Sequence, residues 1–474
     1  MISTGSFLAF RVCAYTAALL SLPAAALAQA APQPEPAVVT LEQALQYALD
    51  HYPSVRAAVE QVQASAAGVD VARAGYLPRF DAMWQTSRAT VNNIVGQMLP
   101  QSVIPALTGP VLPLTSGHSV WGSATGGLFS WEPVDFGLRA AVVREAEAGV
   151  TLARADERFA RLAVQSAVGM AFLGVLSAQQ SLAAADADVQ RRDVLARVAH
   201  TLADNQLRPG AEASRADAEL AAARTRVIQV RQTLAVAQAM LAQVLGVTSG
   251  PVGANPARLL DADARDLPNP PSEHPLLQSG QAGIDLARAR EDVLARTDRP
   301  RVYLQSSVFA RGSGAHADGS FDAGADGLGL ERVNWAAGVQ VVFPNLFDFA
   351  SLRARRTAAG AQTRAEAARY DETRLTVAAQ LSVADAMIDA VRAIARNTPV
   401  QLAAARQSEA QARARYDAGL TGLAEVAEAQ SLLAGAEFQN AVALVDVWRA
   451  LLAQAAARGD MSPFIDAVRA GGVP

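Results

Sequence analysis

Apolar residues in this sequence follow two periods, and these periods occur in the same order in each half of the chain. Val55, Val59, Val62 and Val69 recur at the spacing of one helix face, which predicts an α-helix. Segments rich in Val, Tyr, Phe and Trp instead alternate with polar residues, as β-strands do. The first half predicts helix, strand, strand, long helix and helix at residues 41–74, 79–91, 118–134, 137–207 and 211–245. The second half predicts the same elements at 274–297, 301–311, 331–344, 349–418 and 420–457.

The two long helical segments determine the overall shape that we expect. Each spans about 70 residues, a length of about 105 Å. Within the first, apolar residues follow the spacings of a coiled-coil seam at Leu152, Phe159, Leu162, Leu173 and Leu176. Helices of this length cannot fit in a compact globule, so they are expected to pack on one another as a long bundle or tube.

The two halves are related by an internal repeat. Five residues recur 222 positions later: Pro53, Asp70, Val71, Pro78 and Arg79 as Pro275, Asp292, Val293, Pro300 and Arg301. Farther along the offset is 213, pairing Asp135 with Asp348, Leu207 with Leu420 and Glu212 with Glu425. We therefore expect a duplication, with repeats at 29–245 and 272–458, a proline-rich linker at 246–271 and a C-terminal tail at 459–474.

The predicted strands have the length of membrane-spanning β-strands, which need about 9 to 11 residues. In hydrocarbon every backbone polar group must be paired, so a membrane sheet has to close into a barrel. The hairpins at 79–134 and 301–345 supply four strands, whereas bacterial barrels begin at about eight. Three chains would supply twelve strands, so the pattern predicts an oligomer. The alternative is a soluble periplasmic helical protein with two surface hairpins.

The N-terminus has the features of a secretory signal peptide at residues 1–28. Arg11 precedes an apolar run, and Ala26-Leu27-Ala28 is a small-x-small cleavage site. The alternative, a membrane anchor, is less favoured because Pro23 interrupts a run that is short for a bilayer span. Cys13, the only cysteine, lies within this segment. No later apolar stretch is predicted to cross a membrane as a helix.

Composition excludes several other functions. The formal charge is only -4 and the chain contains no lysine, which argues against a nucleic-acid partner, a P-loop and Schiff-base chemistry. The five histidines lack zinc-ligand spacing. Asp318, Asp322 and Asp326 lie four apart in a glycine-rich loop, but they do not match known calcium loops. We therefore predict no enzymatic activity, no cofactor and no metal, and a solvated loop at these aspartates.

The whole pattern resembles the TolC family of outer-membrane factors. The family's helix-to-strand junctions match Tyr76-Leu77-Pro78-Arg79 and Arg299-Pro300-Arg301. Its strand-to-helix junction resembles the segment from Phe343 and Pro344 to Asp348 and Phe349, with a weaker counterpart around Pro133, Asp135 and Gly137. The resemblance implies an α+β membrane channel, in which a homotrimer forms a twelve-stranded β-barrel continuous with a periplasmic α-helical barrel.

The most specific resemblance lies in a turn and helix that the family places at its periplasmic tip. It is matched by Tyr416-Asp417-Ala418-Gly419 and by Glu425-Val426-Ala427-Glu428-Ala429, where both family aspartates are glutamates. The resemblance implies that Glu425 and Glu428 form acidic rings at a cation-favouring entrance. The alternative is an ordinary solvated helix face.

The resemblance also implies contacts that close the tunnel, at Glu212, Tyr416 and Thr421. Glu212 enters this set because the repeat pairs it with Glu425. Thr421 stands where the family carries its gate arginine, so this turn lacks the arginine of the family's usual salt-bridge latch. Arg208 or Arg215 are the alternatives for this role.

Further expectations concern partners and cargo. The resemblance implies an inner-membrane ABC transporter, a periplasmic adaptor, an exported protein toxin and outer-membrane lipid as partners. The chain most resembles family members that export cyclolysin by type I secretion. The alternatives are a channel for small-molecule drug efflux and a periplasmic coiled-coil adaptor. Aromatic residues in or beside the strands are expected to form interfacial girdles or to pack within the sheet: Trp84, Trp121, Trp131, Tyr303, Phe309 and Trp335.

Overall fold

The structure is a computed structural model. It describes residues 37–92, 99–104, 117–248, 250–256, 259–260, 267–268, 273–316, 318, 320–322, 324–344 and 347–470. The fold described below is that of the unit from Val38 onward. The predicted signal peptide at 1–28 lies outside the described residues.

Each repeat contains the predicted order of helices and strands. The first comprises β1 (Val38–Val39), α1 (Leu41–His51), α2 (Pro53–Ala74), β2 (Arg79–Thr90), β3 (Ser119–Val134), α3 (Leu138–Asp204) and α4 (Gly210–Leu245). After β4 (Gly253–Ala254), the second comprises α5 (Pro275–Leu294), β5 (Arg301–Ser313), β6 (Arg332–Val342), α6 (Phe349–Asp417) and α7 (Leu423–Arg458). A short helix, α8 (Ser462–Ala470), follows. The predicted tandem α+β organisation is confirmed.

Two prolines within predicted helices have different effects. Residues 41–74 form two helices because Pro53 removes a backbone donor and holds Tyr52 in an extended conformation. The prediction of one helix there was wrong. The α6 helix, in contrast, continues through Pro399. Thr40 and Gln43 begin α1 with a reciprocal capping box.

The four long strands form one antiparallel sheet in the order β2-β3-β5-β6. The adjoining helices pack side by side in the matching order α2-α3-α5-α6. Each helix therefore continues the strand that precedes or follows it in the chain. The result is one layer, with membrane-length strands at one end and α3, about 100 Å long, running away from them.

The two faces of this sheet differ in polarity because side chains alternate along each strand. Register places large apolar residues together on one face: Phe80, Trp84, Phe129, Trp131, Leu304, Val308, Val333, Trp335, Val339 and Val341. The other face carries most of the charged and amide side chains: Arg79, Asp81, Gln85, Arg301, Gln305, Arg311, Arg332, Asn334 and Gln340. Tyr303 and Phe309 lie on this polar face, so they are separated from the aromatic residues of the apolar face. Ile104 and Val103, from the loop after β2, cover Phe309.

The main hydrophobic core lies away from the sheet. It joins α1, α3, α4, α7 and α8 through Leu45, Phe172, Leu241, Trp448 and Phe464. A Cβ at Gly169 would meet the Leu452 side chain at 2.8 Å. Glycine at this position therefore permits the close approach of α3 to α7.

Part of the expected linker and part of the expected C-terminal tail also belong to this core. Val252 and Leu259 are buried, and β4 pairs with β1 in a parallel arrangement. Trp448 donates a hydrogen bond from Nε1 to the Leu259 carbonyl oxygen at 2.9 Å. In the tail, Phe464 packs edge-on against Trp448. Short apolar segments have too little periodicity to indicate such contacts in advance.

Among the described helices, α3 alone is long and apolar enough to pass as a membrane span. We predicted that no helix after the signal peptide is long and apolar enough to cross a membrane. By the criteria of length and composition, that prediction was wrong. Phe172, Leu173 and Leu176 of this helix are fully buried among protein side chains. At these positions the apolar character supports core packing.

Candidate functional site

Two helical hairpins meet at the end of the unit from Val38 onward that lies farthest from the sheet. The first consists of α3 and α4, joined by a turn at 205–209, and the second of α6 and α7, joined by a turn at 418–422. Asp204 and Asp417 end the incoming helices 213 positions apart, the same offset that relates Gly210 to Leu423. The repeat is thus preserved at this tip. Apolar side chains of both hairpins share one buried cluster.

Arg208 in the first turn connects the two hairpins. Its Nη2 donates to the carbonyl oxygens of Tyr416 at 3.4 Å and Thr421 at 3.3 Å. The guanidinium also lies 5.1 Å from the centre of the Tyr416 ring. Its contact with Glu212 is longer, at 4.0 Å. One arginine thus contacts both ends of the opposing turn.

Tyr416 completes this connection from the second hairpin. Its side chain is 3% exposed, and its hydroxyl donates to Glu212 Oε2 at 3.2 Å. Burial raises the pKa of the Tyr416 hydroxyl, and the negative charge of Glu212 adds to this effect. The phenol therefore keeps its proton and donates this hydrogen bond throughout the physiological pH range. The structure brings together Glu212, Tyr416 and the backbone of Thr421.

The origin of the Arg208 contact lies in the repeat. Arg208 and Thr421 are equivalent positions, 213 residues apart. The arginine missing from the second turn is present in the first, where it donates to the carbonyl of its own repeat partner. The constant offset of 213 residues was the sequence signal that relates Arg208 to Thr421. The direction in which the Arg208 side chain points, which makes the contact, is known only from the tertiary structure.

Glu425 and Glu428 occupy different environments in α7. Glu425 Oε1 pairs with Arg415 Nη1 at 2.9 Å, and its carboxylate also accepts a hydrogen bond from the Thr421 hydroxyl. Glu428, one turn further along, is exposed. Arg415 therefore offsets part of the charge at Glu425, whereas Glu428 presents its carboxylate to solvent. Sequence reasoning did not identify Arg415.

A second polar connection joins the hairpins farther from the tip. Arg192 on α3 pairs with Asp188 at 3.0 Å and with Glu219 on α4 at 2.7 Å, and it donates to Ser431 on α7 at 3.2 Å. The neighbouring Arg191 forms a bidentate contact with Glu437 on α7. Asp188 and Arg192 are both buried. This cluster was missed from the sequence because its charges look like ordinary solvated helix positions.

The first strand-to-helix junction is held by Asp135. Its carboxylate accepts hydrogen bonds from the backbone amides of Gly137 at 3.0 Å and Arg139 at 2.6 Å, and from Arg139 Nε at 2.9 Å. Arg139 also donates to the Gly75 carbonyl and stacks over Tyr76, two residues before Pro78. Asp135 therefore connects the end of β3, the start of α3 and the preceding helix-to-strand turn.

The second junction has the same chain path with fewer contacts. Pro300 directly precedes β5 and Pro344 lies two residues after β6, but Asp348 is exposed and its side chain does not cap α6. The residue equivalent to Arg139 is Leu352, whose side chain carries no hydrogen-bond donor. Arg299 instead donates to the Phe136 carbonyl at 2.6 Å and so joins the two junctions.

We expect Asp135→Asn to lower the free energy of unfolding by about 1.5 to 3 kcal/mol at neutral pH, because charge-assisted hydrogen bonds are lost. Burial opposes ionisation, but the hydrogen bonds from Arg139 and Gly137 outweigh it and lower the pKa of Asp135 from its ordinary value of 3.8. The stabilisation of the fold by the ionised Asp135 is therefore complete above pH 3.8, and it disappears as pH falls through the lower pKa of the folded state. Urea unfolding at several pH values measures this, with Asp348→Asn as the matched control. Equal losses in the two variants would contradict the assignment.

The described residues contain no group of three or more potential ligands that could hold a metal ion. Asp318 accepts hydrogen bonds from Ser320, and Asp322 pairs with His316 at 2.6 Å. Asp326 lies in a short 3-10 turn. Asp318 and Asp322 therefore face different partners.

A membrane-length sheet with one apolar face, continuous with helices about 100 Å long, defines the class: an outer-membrane channel subunit that extends into the periplasm. The chain belongs to the outer membrane efflux protein family, whose profile matches residues 44–247 and 271–459. The predicted TolC-like membership and outer-membrane location are confirmed. The family consists of transport channels, so the protein is not an enzyme.

Individual relatives agree with this assignment. The chain is 28% identical over 437 residues to Protein CyaE of Bordetella pertussis, covering 89% of this chain and 84% of the relative. The CmeC outer membrane channel of Campylobacter jejuni has a TM-score of 0.71 at 17% identity, covering 91% of this chain and 89% of that one. VceC of Vibrio cholerae has a TM-score of 0.68 at 17% identity, covering 89% and 96%. The solved structures establish similarity of fold.

Proposed function

We propose that three copies of this chain close into a twelve-stranded barrel continuous with a helical tunnel. The observation that carries the proposal is the open sheet: among the described residues, β2 pairs only with β3, and β6 only with β5. An unpaired strand edge is too costly to leave in hydrocarbon. Pairing β6 of each copy with β2 of the next satisfies both edges, and the apolar face then meets lipid.

The channel acts as a passive conduit for an exported protein toxin in a type I secretion system. An inner-membrane ABC transporter supplies the energy, and a periplasmic adaptor contacts the helical end. The similarity to Protein CyaE over 89% of the chain supports this proposal. The resemblance to family members that export cyclolysin makes that toxin the proposed cargo. The second candidate, small-molecule drug efflux, is supported by the family's description as efflux proteins.

The periplasmic tip is the entrance. Arg208, Tyr416 and Glu212 hold the two hairpins of each copy together and keep the tunnel narrow. Three copies of Glu425 and Glu428 surround the opening. Rings of carboxylates favour cations in a pore, and the exposed Glu428 contributes more of this charge because Arg415 offsets part of Glu425.

The test is single-channel recording of the purified protein in a planar bilayer. We expect discrete, cation-selective steps, and a Glu425→Ala, Glu428→Ala variant should lose most of this selectivity, because the entrance carboxylates are gone. Glu60→Ala, at an exposed position on α2, is the matched control and should keep it. Unchanged selectivity in the double variant would refute the acidic entrance. A detergent-stable protein without steps or oligomers would refute the barrel.

A further inference from the structure

We propose that a groove on the outer side of the helices, directly below the lipid-facing side of the sheet, binds the phosphate-bearing head group of an anionic phospholipid. This inference rests on the proposed barrel and adds a lipid site at the periplasmic edge of the membrane. The groove has a volume of about 500 Å³ and lies between α5 and α6. Its lining combines apolar and charged side chains, among them Phe349, Leu352, Arg353, Arg356 and Asp298.

Strand order and helix handedness place this groove on the apolar side of the sheet. Val91 continues the polar-face positions of β2, and its backbone N–H donates to the His118 carbonyl next to β3. For L-residues, this bond direction sets the strands from β2 to β6 left to right, seen from the polar face with the helices below. α5 therefore lies to the left of α6, and the buried Leu352 of α6 faces it. From Leu352, the right-handed turn of α6 carries Arg353 and Arg356 by about 40 to 100° toward the apolar side.

Exposed phenylalanines mark the level at which the hydrocarbon ends. Phe343 follows Val341 by two residues and so continues the apolar face of β6. Its side chain is 57% exposed, and Phe349 at the start of α6 is 70% exposed. Arg353 lies four residues after Phe349, which is about 6 Å along the helix. The head-group layer on each side of a bilayer is about 5 to 7 Å thick, so Arg353 lies at the level of the phosphates.

The groove contains an arginine whose charge is not neutralised. Arg356 donates to Asp298 Oδ1 at 2.9 Å and to the Ala295 carbonyl at 3.2 Å, so its guanidinium is held in place. Arg353 forms no ion pair or hydrogen bond within the part of the chain that the structure describes. Three cationic and two anionic side chains line the groove: Arg353, Arg356, Arg364, Glu291 and Asp298. Guanidinium groups match the geometry of phosphate oxygens, so the excess positive charge favours a phosphate-bearing anion.

A phospholipid accounts for both the charge and the exposed rings. Its phosphate reaches Arg353 and Arg356, while its acyl chains lie against Phe343 and Phe349. A free phosphate ion would use the arginines and leave both rings exposed to water. Basic pockets at membrane surfaces bind anionic lipid head groups in other proteins. The next copy of the proposed trimer would pack on the other side of α6, beyond the β6 edge, so it leaves this groove open to lipid.

Native mass spectrometry of the detergent-solubilised protein with added phosphatidylglycerol tests the proposal. We expect one retained phosphatidylglycerol per chain and weaker retention of phosphatidylcholine, which has no net charge. Arg353→Gln should weaken phosphatidylglycerol binding about fivefold, since an arginine at a membrane surface contributes about 1 kcal/mol. Arg355→Gln is the matched control, because Arg355 lines a different groove toward the polar side, and it should leave binding unchanged. Both arginines are exposed, so both variants should keep the fold.

The outcomes separate a lipid site from a phosphate site and from the channel itself. Equal retention by Arg353→Gln and the original protein, or an equal loss in Arg355→Gln, would overturn the site. Displacement of the lipid by an equal concentration of inorganic phosphate, or unchanged lipid binding in Phe349→Ser, would overturn the lipid assignment. A protein that conducts in planar bilayers without retaining phosphatidylglycerol would refute this inference alone. A protein without channels or oligomers would refute the proposed function as well.

Discussion

Arg208→Ala is expected to open the periplasmic entrance and to raise the single-channel conductance severalfold. The substitution removes two hydrogen bonds to carbonyl oxygens of the opposing turn and the contact with the Tyr416 ring. Charged hydrogen bonds contribute about 1.5 to 3 kcal/mol, and the lower figure applies because these distances exceed 3.2 Å. A loss of about 1.5 kcal/mol raises the open population about tenfold.

Arg215→Ala is the matched control for this prediction. Arg215 is the other arginine considered for the latch, and it lies exposed on α4 seven residues after Arg208. Its removal should leave the conductance unchanged. Tyr416→Phe should have a smaller effect than Arg208→Ala, since it removes one hydrogen bond to Glu212 and keeps the ring. Equal conductance in Arg208→Ala and the original protein would exclude Arg208 as the latch.

Arg192→Ala is expected to lower the free energy of unfolding by about 3 kcal/mol, because the buried Asp188 loses its hydrogen-bonded partner and keeps only the longer contact with Arg191 at 3.7 Å. The Arg192 side chain is 8% exposed and contacts Asp188, Glu219 and Ser431 on three helices. The measurement is urea unfolding of the detergent-solubilised protein, followed by helical circular dichroism.

Two further variants distinguish this mechanism from a general loss of helix stability. Arg197→Ala removes an arginine of the same helix whose side chain is 72% exposed, and it should cost no more than about 1 kcal/mol. A combined Asp188→Leu, Arg192→Met variant removes both buried charges and should recover much of the loss. If Arg197→Ala destabilises the protein as much as Arg192→Ala, the buried network is not the cause.

The two connections between the hairpins differ in strength and in expected purpose. At the tip, Arg208 makes long contacts with backbone oxygens, which suit a junction that opens. Farther up, Arg192 is buried among carboxylates and ties α3, α4 and α7 together. We therefore expect the helix turns at the tip to move when the entrance opens, while the helices around Arg192 stay packed together.

Periodicity and the internal repeat by themselves determined the order of elements and most of their boundaries. Strand alternation and helix periodicity are local properties of a chain, and prolines such as Pro78 and Pro300 mark where one period changes to the other. The constant offset of the repeat also related Glu212 to Glu425 and Arg208 to Thr421, because a duplication can be recognised from the order of residues alone. The resemblance to a known family supplied their expected roles.

The tertiary structure alone decided which of these residues meet. Asp135 and Asp348 look equivalent in sequence, yet only Asp135 faces an arginine, because Leu352 replaces the partner in the second repeat. Arg415 and Arg192 resemble solvated arginines until a second helix brings carboxylates to them. These contacts depend on how helices pack: Arg192 meets Glu219 on the next helix, and Arg191 meets Glu437 more than 200 positions away. The pattern of residues along the chain carries no information about which side chains meet in space. The partners of the charged side chains were therefore identified only from the tertiary structure.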